Sequence, residues 1–223
     1  MRQLSLDLLP PSGPTLGNFV AGPNGEALDR VSAIARGERA LRILYLWGES
    51  GSGKTHLLSA LKGRALGPTC APSEFTRSTG PLEIISVDDC DRLDEAQQES
   101  LFHLFNRVLA QPGTAIVCAG AEPPLALRLR DDLRTRLGYG LVLRLRLLSD
   151  EERRDALEQW VRRSGARYSP DLIEHLLRHR ARDLRSLLAL LQGLDRYGLE
   201  RQRALTLPLL REFENPATDK LEG

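Results

Sequence analysis

Nowhere in this 223-residue chain do eighteen apolar residues run together, so no segment reads as a helix that crosses a bilayer. The opening MRQLSLDLLPP carries one basic group, and Ser5 and Asp7 break its apolar part. It does not read as a secretory leader, which needs about 7 to 15 unbroken apolar residues. Cysteine is scarce. Cys70, Cys90 and Cys118 stand 20 and 28 positions apart, spacings that suit neither a zinc site nor a disulfide framework, and the expectation is a reducing, cytoplasmic setting with no membrane partner. Lysine is scarcer than its charge partners suggest, for 28 of the 31 basic residues are Arg. Net charge is only +1, yet residues 121 to 203 hold 18 basic against 13 acidic groups. That mild excess is read as solvated helix faces in preference to a nucleic-acid surface.

What is present begins at RILYLWGESGSGKTHLL. Ile43 to Trp47 form a short apolar run bounded by glycine, the pattern of a parallel strand buried on both faces. Gly48, Glu49, Ser50, Gly51, Ser52, Gly53, Lys54 and Thr55 then fill GxxxxGK[ST], and from His56 the pattern becomes helical. Glycines let backbone N–H groups turn inward around a phosphate, a lysine neutralises its oxygens, and the Thr hydroxyl can hold Mg²⁺. Strand, loop and helix fall in the order such a loop needs, which a chance glycine-rich turn does not explain. Gly48 to His56 are therefore the candidate contacts for ADP or ATP.

A phosphate loop needs an acid to hold its metal, and LEIISVDDCDRLD supplies one. Ile84, Ile85 and Val87 read as a strand with Asp88 at its C-terminal end, where open α/β sheets place their ligands. Asp88 with Thr55 is the candidate Mg²⁺ pair, and Asp89 the candidate for orienting an attacking water. Asp91 or Asp94 reads as a cap for the next helix. That helix, about Asp94 to Gln111, carries Leu101, Leu104, Phe105, Val108 and Leu109 on one core stripe. TAIVCAG (114–120) and LVLRL (141–145) read as further strands, and a trimmed second strand and helix are expected within 68–81. After Leu147 strands give way to helical patterns at 150–163, 170–180, 183–197 and 208–213. The expected architecture is an α/β domain with a parallel sheet followed by a small all-α lid: 1–14 a leader, 15–148 the nucleotide-binding domain, 149–214 the lid, 215–223 a loose tail. The leader's alternating residues end at Pro10, Pro11, Gly13 and Pro14, which suits a free arm better than a strand in a hairpin.

Taken in order, the phosphate loop, the strand ending Asp88-Asp89, DDLRTRLGYGL and RDLRSLLALL resemble the DnaA branch of the AAA+ ATPases. NFVAGPNGEAL (18–28) resembles the segment by which that branch enters its nucleotide domain. A chain that opens with QLSLDL, ends with the helical lid and lacks a helix-turn-helix is similar, within that branch, to the Hda-type regulators that inactivate DnaA. The resemblance spans about residues 3 to 213 and implies several roles. QLSLDL resembles a hexapeptide that docks on the DNA polymerase III sliding clamp, with Gln3 at the pocket rim and Leu4, Leu6 and Leu8 as further contacts; DNA would then be met through the clamp. Arg136 matches an arginine finger that reaches a neighbouring subunit's γ-phosphate, and Arg185 a lid arginine that contacts the chain's own nucleotide. The implied partner is DnaA, whose bound ATP would be hydrolysed faster, and self-association is compatible with the fold.

One departure bears on activity. Where the branch places a polar residue, AGAEPP leaves Ala121 and Glu122, with nothing at that spot to orient a water. Weak or absent hydrolysis by the chain itself is expected, with ADP acting as a structural ligand. The competing reading is a helicase loader or transposition-type ATPase of the same core, which would show DNA-stimulated turnover.

Overall fold

A computed structural model of the protein describes residues 13–38, 40–179 and 183–215. Within them the chain divides between Arg146 and Leu147 into two compact units.

The first unit is built on strands β1 (Ile43–Trp47), β2 (Arg64–Leu66), β3 (Ile84–Val87), β4 (Ala115–Gly120) and β5 (Leu141–Arg144). They form one parallel sheet in the order β2-β3-β4-β1-β5. Period-two alternation divides β1, β3, β4 and β5 between two cores. Leu44 and Leu46 of β1, with Ala115, Val117 and Ala119 of β4, pack against α1 (Gly25–Ala35) and α2 (Lys54–Ala60). Ile43 and Tyr45, with Ile116 and Cys118, face the opposite core, made with α3 (Pro72–Thr76), α4 (Glu95–Ala110) and α5 (Asp131–Leu137). Helices on both faces explain why these strands read as continuous apolar runs. Burying each Leu, Ile or Val among them contributes about 1.5–3 kcal/mol.

Register positions the site. Trp47 lies beside Gly120, and Val87 beside Cys118. The residues that follow β1, β4 and β3, namely Gly48, Ala121 and Asp88, therefore leave the same edge of the sheet from three adjacent strands.

Two expectations need correction. The second strand is β2, at Arg64–Leu66, outside the 68–81 window; only α3 falls inside it. Three residues are too few to show a period, and Arg64 disguises the strand. Its guanidinium is buried against Glu83 at 3.3 Å and donates to the Arg77 carbonyl at 3.2 Å. Asp91 is not a helix cap. Asp94 alone caps α4, accepting from Gln97 N–H at 2.8 Å while the Gln97 side chain accepts from Asp94 N–H at 2.9 Å.

The second unit holds α6 (Asp150–Ser164), α7 (Pro170–His179), α8 (Leu184–Glu200) and α9 (Leu207–Glu214). Leu157, Val161, Leu172, Ile173, Leu176, Leu187, Leu191, Leu194, Leu205, Leu209 and Leu210 close a core of their own. Ser149, Asp183 and Thr206 cap α6, α8 and α9 by accepting from N–H groups of the first turn, and Arg154 pairs with Glu174 across α6 and α7. Among the described residues no helix is long and apolar enough to cross a membrane.

Candidate functional site

The loop between β1 and α2 has the backbone of a phosphate cradle. Gly48 sits where any side chain would collide with the Leu145 carbonyl oxygen. Gly53 has φ +100, a left-handed conformation that favours glycine, and a Cβ there would come within 2.7 Å of the Phe19 ring. Ser52 is buried, and its hydroxyl has no hydrogen-bond partner among the described residues. A buried orphan hydroxyl is costly unless something else meets it, and here it lies inside a loop whose residues suit an anion. The half-buried Lys54 ammonium donates to the Gly48 and Glu49 carbonyls at 2.7 and 3.0 Å. Burial lowers its pKa, and the charges of Asp88, Asp89 and Asp91 act in the opposite direction. Thr55 follows with its side chain exposed.

At the end of β3, Asp88 Oδ1 accepts the Asp89 N–H at 3.0 Å. Asp89 has φ +46, a left-handed conformation that Asp tolerates better than most residues, and its carboxylate meets Arg92 at 3.4 Å. Both side chains are well exposed, so the pair contributes only about 0–1 kcal/mol and is readily parted. No cluster of three or more His, Cys, Asp or Glu side chains suited to a metal occurs among the described residues. A divalent cation held by Thr55 and Asp88 would therefore need phosphate oxygens to complete its shell.

Several contacts here had no sequence signal. His56 Nε2 lies 2.9 Å from the Thr15 carbonyl oxygen and its ring meets Phe19 edge-on, 5.4 Å between centroids. Asn24 exchanges two hydrogen bonds with the Arg146 backbone, at 2.9 and 2.8 Å, tying the start of α1 to the chain after β5. At the tip of β4, Ala121 N–H donates to Asp91 Oδ1 at 3.1 Å, and the Tyr45 hydroxyl donates to the Glu122 carbonyl at 2.8 Å. The tip that the residue pattern left bare thus carries a carboxylate brought in from the exit of β3.

Arg136 stands apart from the loop. It is half-buried in α5, its guanidinium 5.6 Å from the centroid of Phe102 on α4. Its neighbours Arg130 and Arg134 are neutralised by Asp132 and Asp131; among the described residues no carboxylate pairs with Arg136. Arg185 is exposed in the first turn of α8, in the second unit. Gln3, Leu4, Leu6 and Leu8 lie outside the described residues. The three thiols are free, with Cys70 half-buried and Cys90 and Cys118 buried; burial pushes the Cys90 thiol up to about 12.

A parallel sheet of this order, a phosphate loop after β1 and a separate helical unit define an AAA+ ATPase fold. Solved structures with that fold are similar throughout. Domain III of the Thermotoga maritima replication initiation protein DnaA is 23% identical, with a TM-score of 0.71, over 93% of this chain and 99% of that one. AMPPCP-bound DnaA from Aquifex aeolicus is 23% identical over 88% of this chain and 70% of that one, TM-score 0.64. The Thermotoga maritima RuvB branch migration motor is 17% identical over 91% and 72%, TM-score 0.67. Family models narrow the assignment: the bacterial DnaA ATPase domain matches residues 68–144 and the Hda lid domain matches residues 150–213. The chain belongs to the Hda/DnaA branch of the AAA+ family.

Proposed function

We propose that the protein is a nucleotide-dependent regulator that acts on a DnaA-type partner by donating Arg136 to ATP held by that partner. The observation that carries the reading is the state of Arg136: a guanidinium with no carboxylate partner among the described residues, propped on an aromatic ring at the surface of α5. The neighbouring Arg130 and Arg134 are held by Asp132 and Asp131. An arginine free to enter another subunit's phosphate site can stabilise transition-state charge, an effect worth about 10³ to 10⁵ in rate. The match to the Hda lid model supports the regulator over the motor within this branch.

In this reading ADP or ATP binds along Gly48 to His56. Lys54 exchanges the Gly48 and Glu49 carbonyls for phosphate oxygens, and the Ser52 hydroxyl gains the partner that it lacks. Thr55 and Asp88 hold Mg²⁺ with those oxygens, and Arg185 is a further nucleotide contact. DnaA neighbours in this fold carry AMPPCP, which supports the same ligand class here. Asp89, paired with Arg92, and Ala121, with no polar side chain, suit retention of nucleotide better than turnover. The leader residues Gln3, Leu4, Leu6 and Leu8 dock on the sliding clamp as an extended tethered peptide.

Phosphate release from ATP-bound DnaA, followed with this protein, ADP and DNA-loaded clamp, tests the proposal. Stimulation is expected from the intact chain, a fall of about 10³-fold or more with Arg136→Ala, and a loss on replacing Gln3 and Leu6 that a high protein concentration restores. DnaA hydrolysis indifferent to Arg136 overturns the reading.

A further inference from the structure

The tip of β4 lies between the exits of β1 and β3, and Asp91 beside it acts by charge on Lys54, the residue type that meets the β- and γ-phosphates in such a loop. Three observations describe what that tip offers. Residue 121 is alanine, so no side chain donates. Its backbone N–H, the donor that remains, is already taken by Asp91 Oδ1 at 3.1 Å. Asp91 is held there by packing, because Gly120 leaves room for it: a Cβ on Gly120 would lie 3.0 Å from Asp91 Oδ1, 3.3 Å from Cys90 Sγ, and in collision with the Tyr45 hydroxyl. An ionised carboxylate accepts and cannot donate. The tip thus presents lone pairs and negative charge, with Lys54 the cation that faces Asp88, Asp89 and Asp91 together.

We propose that Asp91 is the specificity-determining residue of the loop, disfavouring a third phosphate so that the diphosphate is the form retained. This rests on the reading of Gly48 to His56 as a nucleotide site. The physical basis is like-charge repulsion: a γ-phosphate adds charge beside a pinned carboxylate that already occupies the Ala121 N–H of the β4 tip. The β-phosphate, cradled by the loop and Lys54, does not depend on the β4 tip. Asp91 touches no reacting atom; it acts by charge at a fixed position.

Titration calorimetry on the full chain with Mg²⁺ and either ADP or AMPPCP tests this. The intact protein is expected to bind ADP about tenfold or more tightly than AMPPCP, the scale that one unit of pKa-type charge interaction implies. Asp91→Asn, which keeps an acceptor for Ala121 N–H, should shrink the ratio by tightening AMPPCP while leaving ADP within about twofold. Asp91→Glu should retain the preference. Ala121→Asn, which leaves Asp91 in place and adds a donor at the tip, should also tighten AMPPCP, and it keeps the idea falsifiable if Asp91→Asn does not fold. A ratio unchanged in both Asn variants overturns the proposal, as does weaker AMPPCP binding in Asp91→Asn, which would make Asp91 a supporter of the metal. Failure of both nucleotides to bind the intact chain, or binding indifferent to Lys54→Ala, instead overturns the reading of the loop itself.

Discussion

Lys54 shows how one residue can be identified by pattern while its state is not. GxxxxGK[ST] between a strand and a helix was enough to locate it, but the two carbonyls that it holds and the three carboxylates acting on it come from the folded loop and the exit of β3. Asp91 is the opposite case: as one acid in a run of four aspartates within DDCDRLD, it carried no mark of its own, and capping was a fair expectation. A less conspicuous acid makes a sharper prediction. Asp195 of α8 is partly buried, and among the described residues no cation pairs with it; burial raises its carboxyl above the ordinary 3.8. Just above that value the folded lid still holds a proton that the unfolded chain has released. Stability therefore falls as pH rises through that interval, and the deficit persists at neutral pH. Asp195→Asn should melt higher than the parent at pH 7, by about 2 °C, and the two should converge below 3.8. Melting curves at both pH values check this; a lower-melting variant at pH 7 would mean that the charged carboxylate has a stabilising partner.

At the scale of elements, long periodic segments were legible and short ones were not. α4 follows its apolar stripe and its cap closely, since sixteen residues with Leu101, Leu104, Phe105 and Val108 buried leave little ambiguity. β2, three residues long, left none of that signal. α8 runs on to Glu200, past the expected end at Tyr197 and through Gly198. That glycine is buried, and a Cβ there would meet the Arg203 carbonyl at 2.9 Å and Leu205 and Leu209 at 3.2 Å. Close packing, not chain reversal, is its reason. Because α4 also carries Phe102 beneath Arg136, its stability bears on function. Removing the cap with Asp94→Ala should cost about 1 kcal/mol, read as a lowered denaturant midpoint with an unchanged slope.

For the molecule as a whole, two separate cores imply that damage to one unit can be read locally. Leu191 is fully buried in the lid core, and Leu191→Ala should destabilise that unit by about 2–5 kcal/mol. Hydrogen exchange should accelerate across 150–214 and stay slow in β1, β3 and β4; equal acceleration in the sheet would refute the independence of the cores. The longer strands and helices, the phosphate loop and the α/β-then-α order were legible in the residues alone, because burial period, glycine conformational demand and capping act over a few neighbouring positions. Only the folded chain decided that Asp91 meets an N–H thirty positions away, that Asn24 grips the backbone of Arg146, and that Arg136 rests on Phe102. Parallel strands join through long crossovers, so the contacts they create pair residues whose separation in sequence follows no period.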